Sequence, residues 1–406
     1  MISMLTVRYR RLIVITLIII STYFLFLSDN QFLKSLFNSS SGLSKQQTFK
    51  ISSDSQSYRS RVVAVGDLHG DLPHTVRVLR LAGLIDLKNQ WVGERTVLVQ
   101  TGDIVDRGKD TILLYQLMGR LRKEAKAAGG EVINLLGNHE YMNALDDWRY
   151  VTKEDIESFG GKESRRRAMS SNGWIGKDWL KNYSVSTRVP SINENNLRRS
   201  SSPIGSLIFE GQKNNREHFE SSGSGFVHGG ITIEYARLGI EEINRIGRSL
   251  LNKSLSATEP IHHLPRDVNQ QETMFYSEVG PLWDRSYALE SDLDLICDQI
   301  SRVTEILKIK RLVMGHTPQF KGITSRCDGK ILLIDTGISS AYGGPLSALE
   351  IIYKLNPTSN SDKDKKSQGG MSELKTYREV EIVYGLEESK LKRTLSKHER
   401  MIKLKV

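Results

Sequence analysis

The sequence predicts an α/β domain preceded by one N-terminal membrane helix. Three observations carry this. An uncharged apolar run lies near the N-terminus, short apolar runs alternate with helix-like stretches in the body, and polar clusters flanked by glycine end those runs. Of 406 residues, 38% are hydrophobic and 26% charged, which suits a folded globular body and excludes a disordered or fibrous chain. Cys297 and Cys327 are too few for a disulfide scaffold or a cysteine-rich zinc module, and their redox state is left open.

The net charge of +10 invites a nucleic-acid reading, so its location matters. Residues 1–28 carry +3 and residues 390–406 carry +6, leaving +1 for everything between. The body is nearly neutral, and no nucleic-acid partner is expected.

The N-terminal run is Leu12–Leu27, sixteen residues without a charge, preceded by Arg8, Arg10 and Arg11. That is short of the ~20 residues a spanning helix needs, although Val7, Tyr9 and snorkelling arginines extend it. A cleaved signal peptide is the alternative, but the run ends in Tyr23–Leu27 with no small-residue cleavage pattern after it. Arginines before the run place that end in the cytosol. The expectation is a single-pass protein of the endomembrane system with a lumenal or extracellular body, to which the Asn-x-Ser triplets at Asn38, Asn182 and Asn252 add weak support. Residues 1–28 are thus the anchor and 29–60 a Ser-rich stalk.

From Arg61 the apolar runs Val62–Val65, Val97–Val99 and Val132–Leu136 read as strands, with Leu79–Leu84 and Ile112–Leu121 as helical stretches between them. Later strand candidates are Phe226–Val227, Leu312–Met314, Ile331–Ile334, Leu349–Tyr353 and Val380–Tyr384. One domain over residues 61–385 follows, with polar insertions at 188–222 and 356–373. Residues 386–406 form a basic tail. Its Leu391, Leu395 and Ile402 fit either an amphipathic helix on an anionic surface or a solvated end.

The chemistry sits at strand ends. Gly66-Asp67-Leu68-His69-Gly70, Gly102-Asp103-Ile104-Val105-Asp106-Arg107-Gly108 and Gly137-Asn138-His139-Glu140 follow the first three strands. Asp67, Asp103 and Asn138 are 36 and 35 residues apart, one β-α-β step each, which brings all three clusters to one sheet edge. Val227-His228-Gly229 and Gly315-His316-Thr317 end two later runs. Asp, Asn and His are ligands of hard and borderline divalent metals, and a carboxylate such as Asp103 can bridge two ions. Any one of these clusters is unremarkable. Five in order are not a product of core packing.

The series GDLHG…GDIVDRG…GNHE…HGG…GHT, with Gly280-Pro281-Leu282-Trp283-Asp284-Arg285, resembles the phosphoprotein phosphatase branch of the calcineurin-like metallophosphoesterases. Within it, the sequence looks most like the bacterial-type Shewanella-like phosphatases, over about residues 61–355. The resemblance implies a central mixed β-sandwich flanked by helices (αββα) and two divalent ions: Mn²⁺, Zn²⁺ or Fe. It implies Asp67 and His69 on the first ion, Asp103 as the bridge, and Asn138, His228 and His316 on the second. His139 becomes the general acid oriented by Asp106, and Arg107 and Arg285 bind phosphate oxygens, work for which a bidentate fork suits.

Plainer readings stand beside these. Asp106 and Arg107 can pair with each other, and Arg285 can stack on Trp283. Tyr342, a candidate substrate contact, is equally an ordinary loop tyrosine. Arg165-Arg166-Arg167 is better read as a solvated helix face than as an anion site. Phosphomonoester hydrolysis on phosphorylated protein is the expected activity. A fungal relative in this group is an endopolyphosphatase that enters the vacuole through an N-terminal segment, so polyphosphate is the alternative and dinucleoside polyphosphates come third. An inactive membrane-tethered binding protein is opposed by the filled ligand positions.

Overall fold

The computed structural model describes residues 57–192, 223–257, 262–358, 374–389 and 391–405. The first half alternates strand and helix as the periodicity predicts: β1 (Tyr58–Val65), α1 (Leu72–Leu81), β2 (Val97–Gln100), α2 (Thr111–Ala128), β3 (Glu131–Leu135) and α3 (Asn138–Ala144). Asp71 caps α1 by accepting the His74 N–H at 2.9 Å. Gly129, left-handed, ends α2. Three short helices follow, α4 (Lys153–Ser158), α5 (Lys162–Met169) and α6 (Trp174–Asn182), then β4 (Tyr183–Ser184) and β5 (Ser186–Val189).

The second half runs β6 (Gly223–Val227), α7 (Ile233–Leu238), α8 (Ile240–Leu255), α9 (Gln270–Phe275), α10 (Ser286–Leu289), α11 (Leu293–Leu307), β7 (Ile309–Met314), β8 (Thr324–Arg326) and β9 (Ile331–Leu333). Three long strands close the chain: β10 (Ser347–Pro357), β11 (Leu374–Glu387) and β12 (Leu391–Lys405).

Two mixed sheets result. One has the order β12-β11-β10-β1-β2-β3-β4, and the other β5-β6-β7-β9-β8. β1 to β4 are mutually parallel, as are β6, β7 and β9. The period-two alternation of β1 shows how the layers form. Val62 and Ala64 join Phe226, Val313, Leu332 and Leu349 in the interior between the sheets. Val63 and Val65 face the opposite way, in the core built with Leu79, Leu114 and Tyr115 of the covering helices. This is the expected αββα arrangement.

Two expectations need correction. No helix among the described residues is long and apolar enough to cross a membrane. Leu12–Leu27 itself lies outside the described residues, and its sixteen residues are already short of a ~20-residue span. The membrane helix, the membrane partner, and the single-pass endomembrane localisation built on it therefore have no support. The C-terminal basic segment is neither helix nor frayed end: it is β12, the edge strand of the larger sheet, paired antiparallel with β11. Its lysines and arginines suit a sheet edge, where charge discourages pairing with another chain.

Cys297 of α11 and Cys327, in the turn before β9, are joined in a disulfide across a separation of 30 residues. Closing a loop of that size in the unfolded chain contributes about 3–4 kcal/mol. Cys297→Ser with Cys327→Ser is expected to lower the urea midpoint correspondingly, and reductant to do the same to the native chain. A midpoint indifferent to both would mean the crosslink contributes nothing to stability.

Candidate active site

All five motifs converge at the C-terminal ends of parallel strands from both sheets: Asp67 and His69 after β1, Asp103 after β2, Asn138 after β3, His228 after β6 and His316 after β7. Reaching this point costs backbone strain. His69, Asp103, Asp106, Arg107 and His316 have φ of 43°, 56°, 74°, 65° and 66°, a left-handed region disfavoured for residues with a side chain. The turns are tied together by main-chain bonds: the Leu68 and His69 N–H groups both donate to the Asp103 carbonyl at 2.9 Å. Gly137 is required by contact, because a Cβ there would lie 2.1 Å from Asp103 Oδ1 and 2.7 Å from Asp103 N.

Asp103 is the hub. Its Oδ2 stands 3.3 Å from His228 Nε2, 3.7 Å from His69 Nε2 and 3.8 Å from His139 Nε2. Two triads that could each hold a metal ion share it: His69, Asp103 and His139, and Asp103, His228 and His316. Asp67 joins them, with Oδ2 3.9 Å from His69 Nε2 and its carboxylate accepting the His316 N–H.

Tautomers set by the surroundings show whether cations fit. Backbone carbonyls of Val105 and Thr101 accept Nδ1–H from His69 and His228, at 3.1 and 2.9 Å, which leaves both Nε2 lone pairs facing the centre. The carbonyl of Trp283 accepts from His316 Nε2 at 3.2 Å and leaves Nδ1 free. His228 Nε2 then faces Asn138 Oδ1 at 2.8 Å and Asp103 Oδ2 at 3.3 Å, lone pair against lone pair. A cation among them makes that arrangement favourable.

Charge separates the histidines into two kinds. Burial, with His139 adding to it, pushes His69 down to about 4, and burial together with His228 and Arg285 holds His316 well below the usual imidazole range. Both are neutral, as ligands must be. His139 goes the other way: burial opposes its charge, but Asp103 and the Asp106 carboxylate, 2.6 Å from Nδ1, raise it. Asp67 is pushed well up by burial, Asp335 and Asp103. Asp103 is well below its usual range, because the surrounding imidazoles outweigh its burial.

The phosphate-binding candidates are also here. The Arg107 guanidinium lies between two rings, 4.2 Å from the Tyr150 centroid and 5.2 Å from that of Tyr342, and its buried Nε has no hydrogen-bond partner. Asp106 bonds to His139 and Asn143, so the plain Asp106–Arg107 pair is not what forms. Arg285 donates to the His316 carbonyl at 2.9 Å and to Thr317 Oγ1 at 3.1 Å, while Trp283 packs edge-on to His316. Tyr342 sits at the site, its ring 5.2 Å from that of His69 and its hydroxyl pushed up to about 12 by burial.

Two acids escaped the sequence reading. Glu140 accepts the N–H groups of Asp103, Ile104 and Gly137 at 2.9, 2.9 and 2.7 Å and the Tyr115 hydroxyl at 3.1 Å, fixing the strained turn from below. Asp335, after β9, is buried and pushed up to about 6 by that burial. Ile334-Asp335-Thr336-Gly337 also places an acid near a glycine at a strand end, as the Asp67 and Asp103 clusters do. The signal was available.

A family model described as calcineurin-like phosphoesterase matches residues 60–320. The chain belongs to the calcineurin-like phosphoesterase family. It is 38% identical over 298 residues to an uncharacterised protein of Schizosaccharomyces pombe, covering 72% of this chain and 78% of that one. It is 30% identical over 341 residues to Shewanella-like protein phosphatase 2 of Arabidopsis thaliana, covering 77% and 83%. Among solved structures, a cold-active protein-tyrosine phosphatase of a psychrophilic Shewanella superposes with a TM-score of 0.58 at 20% identity, over 83% of this chain and 80% of that one. That likeness supports the fold. With the family established and two triads sharing Asp103, the chain is a metal-dependent phosphoesterase, a hydrolase.

Because Gly137 leaves no room beside Asp103, Gly137→Ala is expected to weaken metal binding about 10–100-fold, the cost of disturbing a ligand's support. Titration with Mn²⁺ followed by calorimetry checks this. Unchanged affinity would show that the Asp103 turn tolerates displacement.

Proposed function

We propose that this phosphoesterase removes phosphate from phosphorylated protein side chains. The observation that carries the catalytic reading is the division among the histidines. His69 and His316 are held neutral, while Asp103 and Asp106 push His139 the other way, with Nδ1 on Asp106 and Nε2 facing the centre. Paired groups pushed in opposite directions mark acid–base assignments. The names of the relatives, protein phosphatases in Arabidopsis and Plasmodium berghei, favour protein as the substrate class.

In this reading Asp67, His69 and Asp103 hold one ion, and Asp103, Asn138, His228 and His316 hold the other. The mixed imidazole, carboxylate and amide donors suit Mn²⁺, Zn²⁺ or Fe. When bound, two such ions supply a water acidified to act near neutral pH and neutralise phosphoryl charge. Arg107, stacked and pre-aligned by Tyr150 and Tyr342, presents its unpaired Nε and its fork to the phosphoryl oxygens. Arg285, braced on the His316 carbonyl, binds a second oxygen. His139 Nε2 protonates the departing side-chain oxygen, and Tyr342 lines the cleft.

The full-length chain with Mn²⁺ is expected to hydrolyse p-nitrophenyl phosphate and to release phosphate from phosphopeptides. Asp103→Asn should abolish turnover and His139→Ala lower it about 10²–10⁴-fold on phosphopeptide. Shortening of long-chain polyphosphate without phosphopeptide turnover would overturn the substrate, and full activity of Asp103→Asn would overturn the site.

A further inference from the structure

We propose that Arg165 is a positioning residue for the leaving-group acid, acting on His139 through Asn143 and Asp106. The inference rests on the reading of His139 as that acid and adds what holds its partner in place. Arg165 belongs to the run expected to be a solvated helix face. It is fully buried instead, its guanidinium 5.0 Å from the Trp148 ring and 5.5 Å from that of Phe159. A guanidinium does not give up its proton, so burying one demands compensation from several partners.

Those partners form a directed chain. Nε donates to Asp155 Oδ2 at 2.9 Å, and Nη1 donates to Asn143 Oδ1 at 2.6 Å. Nη2 stands 3.6 Å from Asp106 Oδ1, an ionic rather than a hydrogen-bonded approach. Since a guanidinium can only donate, the atom of Asn143 facing it must be the carbonyl oxygen. The Asn143 amide nitrogen is thereby turned to the other side, where it donates to Asp106 Oδ1 and to the His139 carbonyl, both at 2.9 Å. With Oδ1 committed, Asp106 offers Oδ2 to His139 Nδ1 at 2.6 Å. The ring is thus fixed with Nε2 toward the reacting phosphate.

In the chemical step the attacking oxygen forms a new bond to phosphorus as the bond to the leaving oxygen breaks. The broken bond's electron pair stays on the leaving oxygen, which takes the proton from His139 Nε2. His139 keeps its Nδ1 proton throughout, donated to Asp106 Oδ2. Arg165 touches neither substrate nor phosphate. Removing it frees Asn143 to invert and Asp106 to rotate, and the imidazole loses its aim.

A purely structural role would depress all substrates alike, so leaving-group dependence is the decisive readout. Dinitrophenyl phosphate expels a stable phenolate that needs little protonation, whereas phenyl phosphate depends on the acid. In the full-length chain with Mn²⁺, Arg165→Met is expected to lower kcat on phenyl phosphate at least about tenfold more than on dinitrophenyl phosphate, with KM unchanged. Arg165→Met combined with Asp155→Asn removes opposite charges together and is read in the same way if the single variant does not fold. Equal losses on both substrates, or no loss, would overturn the proposal. His139→Ala is the reference: selectivity there but not in the Arg165 variants sinks only this inference, while its absence in His139→Ala sinks the acid assignment itself.

Discussion

Asp103 places a carboxylate, 2% exposed, within 4 Å of three imidazoles. Asp67, Asp335 and Glu140, all buried, share the neighbourhood. Ionised acids so close in a poorly polarisable interior repel one another, and the upward displacement of Asp67, Asp335 and Glu140 registers that repulsion alongside their burial. Hydrogen bonds relieve only part of it: Glu140 is satisfied by three N–H groups and a hydroxyl, but Asp103 Oδ2 also faces the Nε2 atoms of His69 and His228, whose lone pairs converge on it. Divalent cations answer that constraint, and the remainder of the site is arranged to receive them.

The fold meets the constraint by distributing the groups over both sheets. β1, β2 and β3 deliver the acids and Asn138, β6 and β7 deliver two imidazoles, and β9 adds Asp335. Parallel strands aim their C-terminal ends at the same rim, so short turns suffice, and those turns accept left-handed geometry because main-chain bonds between the Asp67 and Asp103 segments hold them. Around the rim a second layer of contacts fixes orientation: carbonyls choose the tautomers of His69, His228 and His316, and the Arg165–Asn143–Asp106 chain aims His139.

What could be read from the sequence follows from the range of the interactions. The spacing of Asp67, Asp103 and Asn138 was legible because each interval is one local β-α-β step. The candidate ligand set could be proposed because each member sits beside a glycine at the end of an apolar run. Arg165 was misread because the run of arginines looks polar from one side; its burial depends on Trp148, Phe159 and Asp155, which periodicity does not connect to it. The disulfide joins a helix to a turn that approach only in the folded chain. β12 was taken for a tail because lysines and arginines mask its alternation, although its partner β11 ends only a short turn before it. The apolar N-terminal run suggested a membrane span from hydropathy alone, and no described helix bears it out.

Two cations sharing Asp103 compensate this buried charge. Crystallography of the Mn²⁺-loaded full-length chain, with anomalous scattering at the manganese edge, tests it most directly. Two peaks about 3.5–4 Å apart are expected, both touching the Asp103 carboxylate. A single peak, or two that leave Asp103 unligated, would contradict it.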